Sequence, residues 1–128
     1  MKAKILIVDD QADIRRLVRY ALEEGGHVLF EAANGAVALQ IAKAVQPDLV
    51  ILDQMMPGGV DGLQVVQALK ATPGLSHALV LMLTGNAGES DKQAALAAGA
   101  NYFLTKPFTP AKLGELVRVM LAGRPPLQ

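Results

Sequence analysis

Short, unbroken apolar runs alternate along this chain with longer segments in which apolar residues recur every three or four positions. The runs Lys4 to Val8, Val28 to Glu31, Leu49 to Leu52, Leu79 to Leu83 and Tyr102 to Leu104 have the length of strands, and continuous hydrophobicity is what a strand buried on both faces requires. The segments between them carry the helical period. Ile14, Leu17, Val18, Ala21 and Leu22 form one stripe that Gly25-Gly26 can close, and Ala38, Ile41, Ala42 and Val45 form a second, capped by Asn34 and stopped by Pro47. A third stripe, Leu63, Val66 and Leu69, begins near Asp61 and breaks at Thr72-Pro73-Gly74. Thr109-Pro110 opens the last helix as an N-cap followed by proline at the first helical position, ahead of Leu113, Leu116, Val117, Met120 and Leu121. The fourth helix, roughly Ser90 to Ala98, is largely alanine with Leu96 its one large apolar residue. Alanine favours a helix but buries little area, so this element is expected to be held less firmly than its neighbours.

Strict alternation of five strands and five helices predicts an α/β fold with a doubly wound, open parallel sheet. In such sheets ligands bind beyond the carboxyl ends of the strands, where strand order reverses. The residues at those ends are Asp9 and Asp10 after the first strand, Asp53 after the third, Thr84 after the fourth and Lys106 just past the fifth, and every one is polar.

Composition narrows the chemistry. The 128 residues include 12 lysines and arginines against 12 aspartates and glutamates, so overall charge predicts attraction neither to nucleic acid nor to an anionic membrane. No cysteine is present, which excludes disulfides, thiolate metal sites and a cysteine nucleophile. The first residues already read as a strand, and no apolar stretch approaches the ~20 residues that span a bilayer, so a soluble cytoplasmic protein is expected.

Carboxylates repel one another, and three delivered to neighbouring strand ends call for a cation. Hard oxygen ligands suit Mg²⁺, which takes a few protein oxygens and keeps waters and phosphate oxygens for its other positions. A lysine ammonium and a threonine hydroxyl complement an anion with three equatorial oxygens. A carboxylate beside a metal can attack phosphorus and hold an acyl phosphate. The set therefore reads as phosphoryl transfer to a carboxylate. Taken alone, the acidic pair has a simpler reading, with Asp10 or Asp13 capping the first helix; Asp53, Thr84 and Lys106 in register argue against it.

The motifs Val8-Asp9-Asp10, Leu52-Asp53-Gln54-Met55-Met56-Pro57, Asp61-Gly62, Leu83-Thr84-Gly85, Gly99-Ala100 and Leu104-Thr105-Lys106-Pro107-Phe108, in this order, resemble the receiver domains of two-component response regulators, of the chemotaxis-receiver kind. The resemblance covers almost the whole chain, a receiver over 1–122 with 123–128 as a tail or the start of a linker. It implies a flavodoxin-like sheet of strand order 2-1-3-4-5. It also implies that Asp53 is the phosphoacceptor, taking its group from a phosphohistidine on a sensor histidine kinase or histidine phosphotransfer protein. Asp10, Asp53 and the backbone carbonyl of Met55 would ligate Mg²⁺, with Asp9 holding the ion partly through water. Lys106 and Thr84 would each engage a phosphoryl oxygen, with Thr84 and Phe103 as switch residues read at the fourth helix, fifth strand and fifth helix. The Lys106-Pro107 peptide would be cis. Such a domain assists its own phosphorylation and dephosphorylation rather than turning over a separate substrate, and it passes the signal to an output partner or a covalently attached output domain.

This chain departs from the family pattern at a few positions. Three residues, Gly58-Gly59-Val60, separate Pro57 from Asp61 where two are usual, and Phe103 stands where a tyrosine is usual, so no hydroxyl is offered there. Met55 and Asn86 occupy the positions that flank the path of the attacking water in receivers and are expected to set the phosphoryl lifetime. His27 and His77 read as ordinary surface or strand-edge residues. Arg15, Arg16 and Arg19 read as a solvated face of the first helix, with kinase docking as the alternative role. Two other functional classes fit less well. A receiver-fold binding module that signals without phosphorylation would not need the intact acidic set. A phosphatase working through an aspartyl phosphate would want an acid-base aspartate two residues after Asp53, where Met55 stands. No basic recognition helix is left over for DNA.

Overall fold

The side chains of each strand sort alternately into two cores, and this sorting fixes where the helices lie. In the computed structural model the strands are β1 (Lys4–Val8), β2 (Val28–Ala32), β3 (Leu49–Asp53), β4 (Leu79–Thr84) and β5 (Tyr102–Thr105). The helices are α1 (Ala12–Leu22), α2 (Gly35–Val45), α3 (Gly62–Ala71), α4 (Glu89–Ala98) and α5 (Pro110–Ala122). The structure describes residues 2–54, 56, 61–85 and 89–123, apart from the side chains of Glu89 and Asp91. Met55, Asn86, the Gly58-Gly59-Val60 insertion and residues 124–128 lie outside the described residues.

All strand pairs are parallel, in the order β2-β1-β3-β4-β5. Leu6, Val8, Val50, Leu52, Val80 and Met82 face one core, shared with α2, α3 and α4, while Ile5, Ile7, Leu49, Ile51, Leu81 and Leu83 face the other, shared with α1 and α5. Both sheet faces are therefore covered, which is why the central strands read as continuous apolar runs. Four strands run one residue past the sequence expectation, ending at Ala32, Asp53, Thr84 and Thr105. The ladder explains this, because Gln54 N–H donates to Leu83 O at 2.9 Å and Lys106 N–H to Thr84 O at 2.7 Å. Backbone pairing continues after the apolar side chains stop.

The caps follow the sequence reading in part. Asn34 Oδ1 accepts the Val37 N–H at 2.9 Å, and Thr109 Oγ1 accepts that of Lys112 at 3.1 Å. Asp61 and Gln64 form a reciprocal capping box at the start of α3. The N-cap of α1 is Gln11, without a side-chain cap, so neither Asp10 nor Asp13 is used in that way. After α1 a 3₁₀ turn at Glu23–Gly25 ends at Gly26, whose φ of 69° is the left-handed conformation that glycine adopts without strain. In α4 the residues that meet the core are Ala95, 1% exposed, and the half-buried Ala98, while Leu96 is 44% exposed. The one large apolar residue of that helix thus faces solvent, and α4 meets the core through alanine methyl groups. No helix among the described residues is long and apolar enough to cross a membrane.

His27 lies at the opposite end of the sheet from the acidic residues, where its Nδ1 accepts the Ala3 N–H at 3.0 Å just before β1. Burial lowers its pKa below the usual 6.5. The unfolded chain therefore takes up this proton more readily than the folded one, and the stability that neutral His27 supports is present above pH 6.5 and lost as pH falls through the lowered value. Thermal unfolding of the wild type should show a loss of stability on acidification through this window that is reduced in His27→Gln; parallel pH profiles would contradict the assignment.

Candidate functional site

Among the described residues the buried polar or charged side chains are Asp9, Asp53, Gln54 and Thr84, and all of them stand where β1, β3 and β4 end. The order β2-β1-β3 means that the chain winds away in opposite directions from β1 and β3, which opens a crevice between their carboxyl ends. Asp9 and Asp53 face each other across it.

Each carboxylate is presented differently. Asp9 is completely buried; its N–H extends the β1–β2 ladder to Ala32 O at 3.2 Å, and its Oδ1 accepts the Gln11 N–H at 2.9 Å. Its other oxygen takes the ammonium of Lys106 at 3.0 Å. Lys106 Nζ also lies 3.4 Å from Asp53 Oδ2, so one side chain from beyond β5 reaches across β4 to pair with the acids of β1 and β3. The Lys106-Pro107 peptide bond is cis. Asp10 is exposed and carries its carboxylate to the mouth of the crevice. One ligand oxygen from each of Asp9, Asp10 and Asp53 lies within 4.8 Å of the others. Three carboxylates against one ammonium leave the cluster negative, and its donors are all hard oxygens, so the residues present fit a small divalent cation.

Thr84 closes the adjoining strand, buried, one residue past Leu83, which pairs with Asp53. The polar residues read at the strand ends, Asp9, Asp10, Asp53, Thr84 and Lys106, thus come to one end of the sheet. Phe103 packs its ring against the α2–α3–α4 core, and Lys92 Nζ of α4 sits 5.1 Å from the ring centre. That contact is a cation–π pair.

Some residues play parts that the sequence did not reveal. Gly62 N–H donates to Gln54 O at 3.1 Å, and a Cβ at Gly62 would lie 2.4 Å from Asp53 O and 2.7 Å from Gln54 Cα. Only glycine lets the start of α3 press against the backbone that bears Asp53. Gln54 is buried with its side-chain oxygen unpartnered among the described residues. Arg15 departs from the solvated-face reading: its guanidinium donates to Asp9 O at 2.7 Å and pairs with Glu31 at 3.0 Å. Arg19 and Arg16 do lie outside, paired with Glu31 and Asp13. The sequence signal for Arg15 was present only as a basic residue one helical turn past the acidic pair.

A model of the response regulator receiver domain matches residues 5–118. The chain belongs to the response regulator receiver family. This receiver domain is 38% identical over 94% of its length to the alkaline phosphatase synthesis transcriptional regulatory protein PhoP of Bacillus subtilis, and 35% identical over 99% to the phosphate regulon transcriptional regulatory protein PhoB of Escherichia coli. It spans about half the length of these relatives, 49% and 55%. Among solved structures it is similar to the chemotaxis response regulator CheY4 of Vibrio cholerae, with a TM-score of 0.86 and 34% identity over 93% of this chain and 98% of that one. It is also similar to the signal receiver domain of a histidine kinase from Syntrophus aciditrophicus, with a TM-score of 0.88 and 32% identity over 98% and 95% of the two chains. Receiver domains are the modules through which two-component systems signal by phosphorylation, and the expected sheet order and helix placement are those of the family.

The close approach at Gly62 makes a direct prediction. In Gly62→Ala the added methyl meets main-chain atoms that cannot rotate away, so α3 must shift from Asp53. Urea unfolding should show a loss of about 1–3 kcal/mol, and an unchanged midpoint would show that the contact is not tight.

Proposed function

We propose that this receiver domain is a phosphorylation-dependent switch in which Asp53 is the phosphoacceptor, served by Mg²⁺ at the acidic cluster and by Lys106. The observation that carries the reading is the position of Lys106 Nζ, 3.0 Å from Asp9 and 3.4 Å from Asp53, beside three carboxylates that each bring one oxygen within 4.8 Å of the others. In this reading Asp10 and Asp53 hold the ion, with Asp9 partly through water and the carbonyl of Met55, outside the described residues, as a further ligand. The bound ion would offset the charge of the incoming phosphoryl group and of the carboxylate that receives it.

A carboxylate oxygen of Asp53 forms a bond to phosphorus while the P–N bond to the donor imidazole breaks, and the imidazole nitrogen leaves with the electron pair. The donor is a phosphohistidine on a histidine kinase or phosphotransfer protein. The added group brings nearly two negative charges. Lys106 meets this charge by exchanging its contact with the Asp53 carboxylate for one with a phosphoryl oxygen. Thr84 donates its hydroxyl to another oxygen and draws the end of β4 with it. Phe103 and the lightly anchored α4 then take a second arrangement, which an output partner or attached output domain reads across α4, β5 and α5. In this reading Met55 and Asn86, both outside the described residues, set how long the phosphoryl group survives. The domain acts in the cytoplasm, as a signalling module and not on a separate substrate.

Incubation with acetyl phosphate and Mg²⁺, followed by intact-mass measurement, should add one phosphoryl group to the wild type and none to Asp53→Asn. Equal labelling of both, or of neither, would contradict the assignment. After the donor is removed, the added mass should decay at a different rate in a chain carrying Met55→Asn and Asn86→Glu; an unchanged rate would remove those residues from the account.

A further inference from the structure

The peptide group between Asp9 and Asp10 is held from outside the acidic cluster. Arg15, in the first turns of α1, donates from Nη1 to the Asp9 carbonyl oxygen at 2.7 Å and from Nε to Glu31 Oε1 at 3.0 Å. Glu31, the next-to-last residue of β2, is held in turn by Arg19 Nη1 at 3.1 Å. Register places Glu31 opposite Ile7, so the pair reaches over the β1–β2 edge to the loop that follows β1.

The Asp9 carbonyl belongs to the peptide plane from which Asp10 departs. Asp9 needs no help from Arg15 to place its own carboxylate, which the Gln11 N–H and Lys106 already fix. Asp10 is different. It is exposed, and its side chain makes no hydrogen bond to another described residue, so its direction is set by the backbone behind it. We infer that Arg15, seated by Glu31, is a positioning residue for the metal site that fixes the Asp9–Asp10 peptide plane and so aims the Asp10 carboxylate at the ion. This rests on the reading of the acidic cluster as a Mg²⁺ site.

Electrostatics and positioning make opposite demands. A guanidinium near a dication repels it, so on charge alone its removal tightens Mg²⁺ binding. If Arg15 aims a ligand, its removal loosens binding, as loss of the groups that orient metal ligands commonly does, by about tenfold or more. The sign of the change therefore separates the two.

The test is a Mg²⁺ titration of the full chain followed by the amide signals of Asp10 and Asp53, for the wild type, Arg15→Met, Arg15→Lys and Arg19→Met. Thermal unfolding without Mg²⁺ checks that each variant is folded. Arg15→Met should bind Mg²⁺ about tenfold more weakly. Arg15→Lys keeps the charge but loses the two-pronged bond, and it should fall between wild type and Arg15→Met. Arg19→Met also loses a bond to Glu31, yet it should match the wild type. Binding by Arg15→Met as tight as or tighter than wild type would overturn the inference, as would an unchanged affinity in Arg15→Lys or equal weakening in Arg19→Met. A wild type whose signals do not respond to Mg²⁺ would instead bring down the metal reading on which the inference rests.

Discussion

The contact on which the site depends is the ammonium of Lys106 between Asp9 and Asp53. Two carboxylates at the ends of adjacent strands, one of them wholly buried, are held together at a cost in desolvation and repulsion that neither β1 nor β3 can offset by itself. The compensating charge comes from beyond β5, two strands away from β3, so the sheet must be complete before the cluster is tolerable. With Asp10 added, one ammonium faces three carboxylates among the described residues, and in the proposed reading a metal ion, and then a phosphoryl group, would meet this imbalance.

Around this point the fold divides its rigidity unevenly. β1, β3 and β4 are buried on both faces by large aliphatic side chains, and Gly62 lets α3 bear directly on the backbone of Asp53. Asp53 is thus carried on densely packed backbone. The side toward α4 is built otherwise, with Ala95 in the core, Leu96 in solvent and Lys92 resting on the ring of Phe103. Small buried area lowers the cost of moving a segment, which is what the proposed switch would ask of α4.

Much of this was legible in the chain before folding. Continuous apolar runs identified the strands, because burial on both faces leaves no polar alternation, and the polar residue ending each run marked the crevice. Periodicity could not identify which residues of α4 make contact: Leu96, its one large apolar side chain, is exposed, while the smaller Ala95 reaches the core. Nor could it distinguish Arg15 from Arg16 and Arg19. What sets Arg15 apart is its bond to the Asp9 carbonyl, a contact made only when α1 has packed beside the end of β1. Gly62 was visible as part of a motif, but its cause, a 2.4 Å approach to Asp53 O, is a property of the packed structure alone.

In the proposed reading the acidic cluster stores repulsion which a divalent cation would relieve. Urea unfolding of the wild type and of Asp10→Asn, each with and without Mg²⁺, tests it most directly. Without Mg²⁺, Asp10→Asn should be the more stable of the two, by on the order of 1 kcal/mol. Added Mg²⁺ should stabilise the wild type and leave the variant nearly unchanged. A variant no more stable than wild type without the ion, together with equal Mg²⁺ stabilisation of both, would contradict the account.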